Sequence, residues 1–178
     1  MNEIKIFMTT ELPAERLEVV RDIFVFAVFT GLSYIDLKNL KQKHVYTSVE
    51  GNLWLRLTRY KTKVMTNVRL FDAPIKLIEK YKDSNGEYLF PVICNQKVNA
   101  YLKEIAEYSG IKKRITFHVA RHTCATTIAL SHGLPMESVA KMLGHANIRT
   151  TQLYAKITDT KLSKDMDDLY KQLSVIGL

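Results

Sequence analysis

The sequence predicts a mainly α protein with one small antiparallel β-sheet, an α+β fold in a single domain. Three observations predict it. Apolar residues recur at helical spacing over most of the 178 residues, the period shortens to two only within residues 45–70, and no internal repeat, low-complexity tract or Gly/Ser/Pro-rich linker divides the chain. A hydrophobic content of 47% is ample for a core in one unit of this size.

The first 16 residues read as a polar, irregular extension. Leu17, Val20, Phe24 and Val28 then mark a helix that Gly31 stops. Ser33 with Asp36 reads as a capping box, Asp standing in for Glu, that opens a short helix through Leu40. Leu53, Leu55 and Leu57 alternate with Trp54, Arg56 and Thr58, and Val64, Val68 and Leu70 follow, so two or three strands are expected over 45–70. Asp72 caps the next helix, through Tyr81, with Pro74 early where its missing N–H costs nothing; another covers about residues 96–109, before Gly110. Thr116 caps a longer helix, FHVARHTCATTIALSH, ended by Gly133. Pro135 starts MESVAKML and Gly144 ends it, Asn147 caps IRTTQLYAK, and a last helix covers about residues 160–173.

Lys and Arg number 26 against 18 Asp and Glu, a formal charge of +8, which suits a polyanionic partner or an acidic membrane surface. The longest apolar run, residues 23–29, is far short of the roughly 20 residues that span a bilayer, and MNEIKIFMTTE lacks a signal-peptide layout. A soluble, intracellular protein is expected. Cys94 and Cys124 are too few and too isolated for a disulfide framework, which fits a reducing compartment.

His118 and Arg121, three apart on one helix, share a face and could reach a single anion, which an Arg can hold bidentately. Alone, such a pair describes a solvated helix face. His145 follows a helix-ending Gly144, at a turn where a side chain can point into a cleft, and Tyr154 comes nine residues later. Alone, a mid-helix Tyr is a core aromatic. His118 and His122, at i and i+4 with Cys124 nearby, raise a metal site, but Arg121 within that spacing repels a cation and no HExxH glutamate or paired CxxC is present, so no metal is expected.

Taken together, HxxR at His118 and Arg121, then the His of GH at His145, then Tyr154 resemble the signature of the tyrosine recombinase (phage integrase) family. FHVARHTCATTIALSHG resembles the family's HxxR helix, and LGHANIRTTQLYAKI its LGH…T…YA segment. Upstream, FAVFTGLSYIDLKNL resembles the first catalytic box, and RLTRYKTKVMTNVRL the β-hairpin that bears a catalytic lysine, so that the resemblance covers residues 17–157. One departure stands out. The family carries an arginine directly after TGL, and here Ser33 occupies that place. Arg21 is the leading substitute, because its helix must pack beside the site, with Arg56 and Arg59 on the sheet as rivals. TGLSY-type boxes place the resemblance nearest to integrases of Bacteroidetes mobile elements such as conjugative transposons.

The resemblance implies the tyrosine recombinase catalytic-domain fold and a division of labour. Tyr154 is the nucleophile, leaving a 3′-phosphotyrosyl link; His118 is the candidate proton acceptor; Arg121 and His145 bind nonbridging oxygens; and Lys61, with Lys63 as rival, protonates the departing 5′-oxygen. The phosphotyrosine conserves the bond energy, so no cofactor, neither ATP nor metal, is expected. The implied partner is double-stranded DNA, with a homo-tetramer on DNA for the full-length protein and a monomer for the isolated domain, in the bacterial cytoplasm. Residues 1–16 are expected to be a linker, 17–157 the catalytic domain and 158–178 a tail helix with Leu162, Met166, Leu169 and Leu173 in a stripe that docks on a neighbouring protomer or folds back. The family's core-binding and arm-binding domains have no room ahead of Leu17, so the chain is expected to be a fragment that binds DNA weakly and in a salt-sensitive way. Integration or excision of a mobile element is the expected reaction. A catalytically silent DNA-binding protein, motivated by Ser33, and a type IB topoisomerase activity are the alternatives.

Overall fold

The computed structural model describes residues 2–82, 85–154 and 159–175. Its axis is α2 (Glu15–Thr30), buried nearly all round by Leu17, Val20, Ile23, Phe24, Val25, Phe26, Ala27 and Val28. A helix apolar on every side belongs at the centre of a fold, and α2 packs against helices from both halves of the chain. Phe26 is fully buried, with its ring centroid 4.7 Å from that of Phe90.

The extension expected to be irregular is instead a helix, α1 (Asn2–Thr9). Phe7 is buried against Phe24 at 5.1 Å, with Ile4 and Met8 beside it. So short a helix is marginal alone and owes its existence to this packing, and the apolar trio Ile4, Phe7, Met8 was its only trace in the sequence.

After α3 (Tyr34–Lys38) and a single 3-10 turn (Gln42–His44) come three strands, β1 (Val45–Thr47), β2 (Leu53–Thr58) and β3 (Met65–Arg69), in an antiparallel sheet of order β1-β2-β3. Leu55 pairs with Val45 on one side and Val68 on the other, which puts the apolar face inward and Arg56 and Thr58 outward. The α4 (Asp72–Tyr81) and α5 (Asn95–Tyr108) helices pack on α2.

The long FHVARH segment starts as α6 (Phe117–Thr123), widens into a π-helical turn over Cys124–Ala129 and tightens into a 3-10 turn before Gly133. Cys124 and Ala125 are fully buried, small enough to let this stretch press on α2 and on α7 (Met136–Leu143). The chain continues as α8 (Arg149–Gln152) and α9 (Asp159–Val175). The domain boundary expected at residue 157 lies outside the described residues. On α9, Met166, Leu169, Tyr170 and Leu173 are exposed, an apolar stripe at helical spacing. Among the described residues no helix is long and apolar enough to cross a membrane.

Several caps differ from expectation. Asp72 is the first residue of α4, and Phe71 at the cap offers no side-chain bond. Thr116 makes no side-chain cap either; the Phe117 N–H donates instead to Asn99 Oδ1 from α5, at 2.8 Å. Asn147 stands one residue ahead of the N-cap of α8, which is Ile148, though its Oδ1 accepts from the Arg149 N–H at 2.9 Å; α8 lasts one turn and Tyr154 lies beyond it rather than mid-helix. Ser33 caps α3, accepting from the Asp36 N–H, while the Asp36 carboxylate has other partners, described below.

Replacing the central Phe26 by Ala is expected to cost about 3–5 kcal/mol of stability, read as a lower denaturant midpoint with an unchanged slope.

Candidate active site

The end of α2, the start of α3, the β2–β3 turn, α6 and the α7–α8 turn surround one cleft of about 800 Å3, lined among others by Ser33, Arg59, Lys61, His118, Arg121, His122, His145 and Tyr154.

Arg121 anchors it. The residue is 8% exposed, and its Nη1 donates to the Gly31 carbonyl at 2.7 Å and its Nη2 to the Leu143 carbonyl at 2.8 Å. These acceptors sit at the C-terminal ends of α2 and α7, so the negative ends of two helix dipoles meet on one guanidinium. The Tyr154 hydroxyl is within hydrogen-bonding reach of the same group. Burial pulls the Arg121 pKa below its ordinary value, opposed by Tyr154 and Asp36.

Arg59, at the end of β2, is 4% exposed and lies beside Arg121. Its Nε pairs with Asp36 Oδ2 at 3.2 Å, and its Nη1 donates to the Gly31 carbonyl at 3.4 Å. Asp36 also accepts from the Tyr60 N–H at 2.7 Å and from the Ser33 hydroxyl. The capping box is therefore only half made, its carboxylate turned to the hairpin. Burial first, then Arg121, push the Arg59 pKa down to about 10, with Asp36 opposing.

Of the three arginines weighed as substitutes for the missing one, Arg59 alone lines the cleft. Arg21, the leading candidate, donates to the Thr10 carbonyl at 2.7 Å and lies 3.6 Å from Asp22, outside the cleft. Its helix does pack beside the site, but Arg21 is on a turn that faces α1 and α4 instead. Arg56 lies on the outer face of the sheet, its guanidinium 4.5 Å from the centre of the Tyr46 ring.

The hairpin delivers Lys61 to the cleft and Lys63 elsewhere. Lys63 takes a positive φ of 57° and sets its Nζ 4.8 Å from the Tyr60 ring centre. The Thr62 hydroxyl donates to the Gly144 carbonyl at 2.9 Å, and the Thr66 hydroxyl to that of Met142, which ties the hairpin to the end of α7.

His145 Nδ1 is 2.7 Å from the hydroxyl of fully buried Thr151, and its ring lies nearly parallel to that of Tyr154, 6.2 Å away. Burial, then Arg121 and Arg59, push its pKa down to about 4. His118 is also held below its ordinary value, by burial and then by His122, Arg121 and Lys61. Between His118 and Tyr154 stands His122, 4.7 Å from one ring and 4.8 Å from the other, edge-on to both. Sequence reasoning considered His122 only as a metal ligand. Its contact with Tyr154 depends on where the α7–α8 turn returns the chain, which no local spacing encodes. Among the described residues no group of three or more His, Cys, Asp or Glu is placed to hold a metal ion.

The cleft thus sets two guanidiniums and a lysine against one carboxylate, beside a phenol and a neutral imidazole. Such an arrangement can seat an anion with several oxygens and present a hydroxyl nucleophile to it.

The sequence pattern of the phage integrase family matches residues 3–161. The tyrosine recombinase XerA of Thermococcus onnurineus is 30% identical over 156 residues, which cover 81% of this chain and 53% of that protein. The tyrosine recombinase XerD of Listeria monocytogenes is 48% identical over 71 residues, 40% of this chain and 22% of that protein. Among solved structures, the XerH site-specific recombinase bound to difH substrate superposes with a TM-score of 0.73 at 18% identity, covering 93% of this chain and 52% of that one. The chain spans about half the length of these relatives or less.

Two outcomes follow from the buried charges. Asp36→Ala strands Arg59 without its carboxylate and is expected to cost about 3–5 kcal/mol in chemical denaturation. Because the folded chain holds His145 neutral down to about pH 4 while the ordinary value is 6.5, the unfolded state binds the proton first. Stability is therefore unaffected by this group above that ordinary value and falls as pH drops from it towards the folded one. Urea midpoints across this range should fall less steeply in His145→Gln than in the parent chain.

Proposed function

Because the chain belongs to the phage integrase family, we propose that it is the catalytic domain of a tyrosine recombinase, a site-specific DNA strand transferase. The observation that carries this reading is one cleft that brings Tyr154 together with Arg121, Arg59, Lys61, His118 and His145.

The Tyr154 oxygen attacks the scissile phosphorus, and the bond from phosphorus to the 5′-oxygen breaks. The phenol's proton acceptor is His118, whose lowered pKa keeps the imidazole neutral and able to accept at neutral pH; His122 stands between the two rings, so the transfer is not direct. Lys61 protonates the departing 5′-oxygen. Arg121 and Arg59 neutralise the nonbridging oxygens, and their positions are fixed before DNA arrives, so they need no reorganisation as charge develops. A Thr151 hydroxyl that donates to Nδ1 would leave the His145 proton on Nε2, and the imidazole would then serve as a neutral donor rather than a cation. A 5′-hydroxyl from another strand reverses the step, so rejoining needs no ATP.

Arg59 supplies the charge that Ser33 lacks, which favours an active enzyme over a catalytically silent DNA-binding protein of the same fold. The TGLSY box supports a place nearest to Bacteroidetes mobile-element integrases, and integration or excision as the reaction. Residues 17–157 carry the catalytic side chains, and α1 packs on the same core. In the full-length protein four copies assemble on double-stranded DNA in the cytoplasm, and the exposed stripe Met166, Leu169, Leu173 docks on a neighbouring protomer.

A pool of nicked duplexes with randomised cores, incubated with the chain, should yield a denaturant-resistant protein–DNA adduct that Tyr154→Phe abolishes. Arg59→Ala should slow adduct formation by about 100- to 1000-fold, the scale of losing one preorganised donor, whereas Arg21→Ala should leave the rate near that of the parent. No adduct, or one that survives Tyr154→Phe, sinks the reading; relaxation of supercoiled plasmid without site requirement points to topoisomerase activity instead.

A further inference from the structure

We propose that His122 is a positioning residue of this site: its ring, wedged between Tyr154 and His118, fixes the nucleophile's ring against the side chain that accepts its proton. The inference rests on the strand-transfer reading above.

Tyr154 lies past the last residue of α8, and its N–H donates back to the Thr151 carbonyl at 2.9 Å. One short turn orients such a residue poorly, so the side chain must be held by its contacts. Arg121 lies beside it, and the small cluster of Ala125, Val139 and Leu143 packs against it. His122 meets the ring edge-on at 4.8 Å, closer than His145 at 6.2 Å. An attack geometry tolerates little misplacement, since about 1 Å of error can cost 100-fold.

His122 is itself exposed, so its ring is not needed for the core. That separates a positioning role from a folding one.

The second half of the role is electrostatic. His118 is faced by His122 and Arg121 from its own helix and by Lys61 from the hairpin, all of one charge sign when protonated. Each makes a proton on His118 less favourable. Removing the imidazole of His122 while keeping a ring there takes away one of these repulsions and lets His118 protonate at higher pH.

The test compares the parent chain, His122→Ala and His122→Phe. On the randomised nicked duplex pool, His122→Ala should slow single-turnover adduct formation by about tenfold or more, a sub-ångström share of the misplacement penalty, with DNA binding by anisotropy unchanged. His122→Phe should restore most of the rate above neutral pH, and the acid limb of its pH–rate profile should move to higher pH. In the DNA-free protein, carbon-13 ring signals of Tyr154, assigned through Tyr154→Phe, should shift in His122→Ala and stay close to the parent in His122→Phe. A His122→Ala rate and ring signals equal to those of the parent would overturn the proposal, as would a His122→Phe chain as slow as His122→Ala. If the parent forms no adduct, the strand-transfer reading fails, while the ring signals still uphold or overturn the contact.

Discussion

Two guanidiniums, Arg59 and Arg121, lie side by side in the wall of the core, 4% and 8% exposed. Burying each ion costs several kcal/mol unless its N–H groups find acceptors, and most of the local architecture supplies them. The Gly31 carbonyl accepts from both arginines, the Leu143 carbonyl from Arg121, and Asp36 pairs with Arg59. The acceptors are carbonyls that helices leave free at their C-terminal ends, so the helices that frame the cleft also hold its charge.

Two glycines make this arrangement possible. Gly31 and Gly144 end α2 and α7 at φ of 68° and 66°, a conformation that an L side chain rarely adopts. They also mark close approaches. A Cβ on Gly31 would run into the Leu143 side chain, and one on Gly144 would come within 2.6 Å of Arg59 Cγ. Helix termination, packing and charge placement thus fall on the same two positions. The cluster arrives preorganised: the arginines are held by backbone that is itself fixed by the core, so an anion entering the cleft meets charge already in place.

The sequence made much of this legible, and its blind spots share a physical cause. The order His118, Arg121, His145, Tyr154 was readable because α6 and the segment after α7 are continuous stretches whose internal spacing is local. The alternation of Leu53, Leu55 and Leu57 gave the sheet for the same reason, and Gly31, Gly133 and Gly144 marked helix ends by conformation alone. What failed depended on tertiary contact. The α1 helix exists through Phe7 on Phe24, the cap of α6 comes from Asn99 on α5, and His122 reaches Tyr154 only through the fold. Arg21 leads Arg59 along the chain because its helix must pack beside the site, and only the packing of α2 against α1 and α4 turns Arg21 away from the cleft.

The Ser33 departure is best understood through Asp36. That carboxylate accepts from the Tyr60 N–H, the Ser33 hydroxyl and the Arg59 Nε, which uses most of the acceptor capacity of two oxygens. An arginine at position 33 would have to share it with Arg59, or bring a third guanidinium to a cleft where Arg121 already depresses the pKa of its neighbour. A hydroxyl there does the reverse. It donates to Asp36, accepts the Asp36 N–H as an N-cap, and leaves the carboxylate aimed at the hairpin. Ser33 and Arg59 are therefore two halves of one arrangement, in which the second guanidinium enters the cleft from the sheet instead of from the start of α3, and the Asp36 carboxylate serves both.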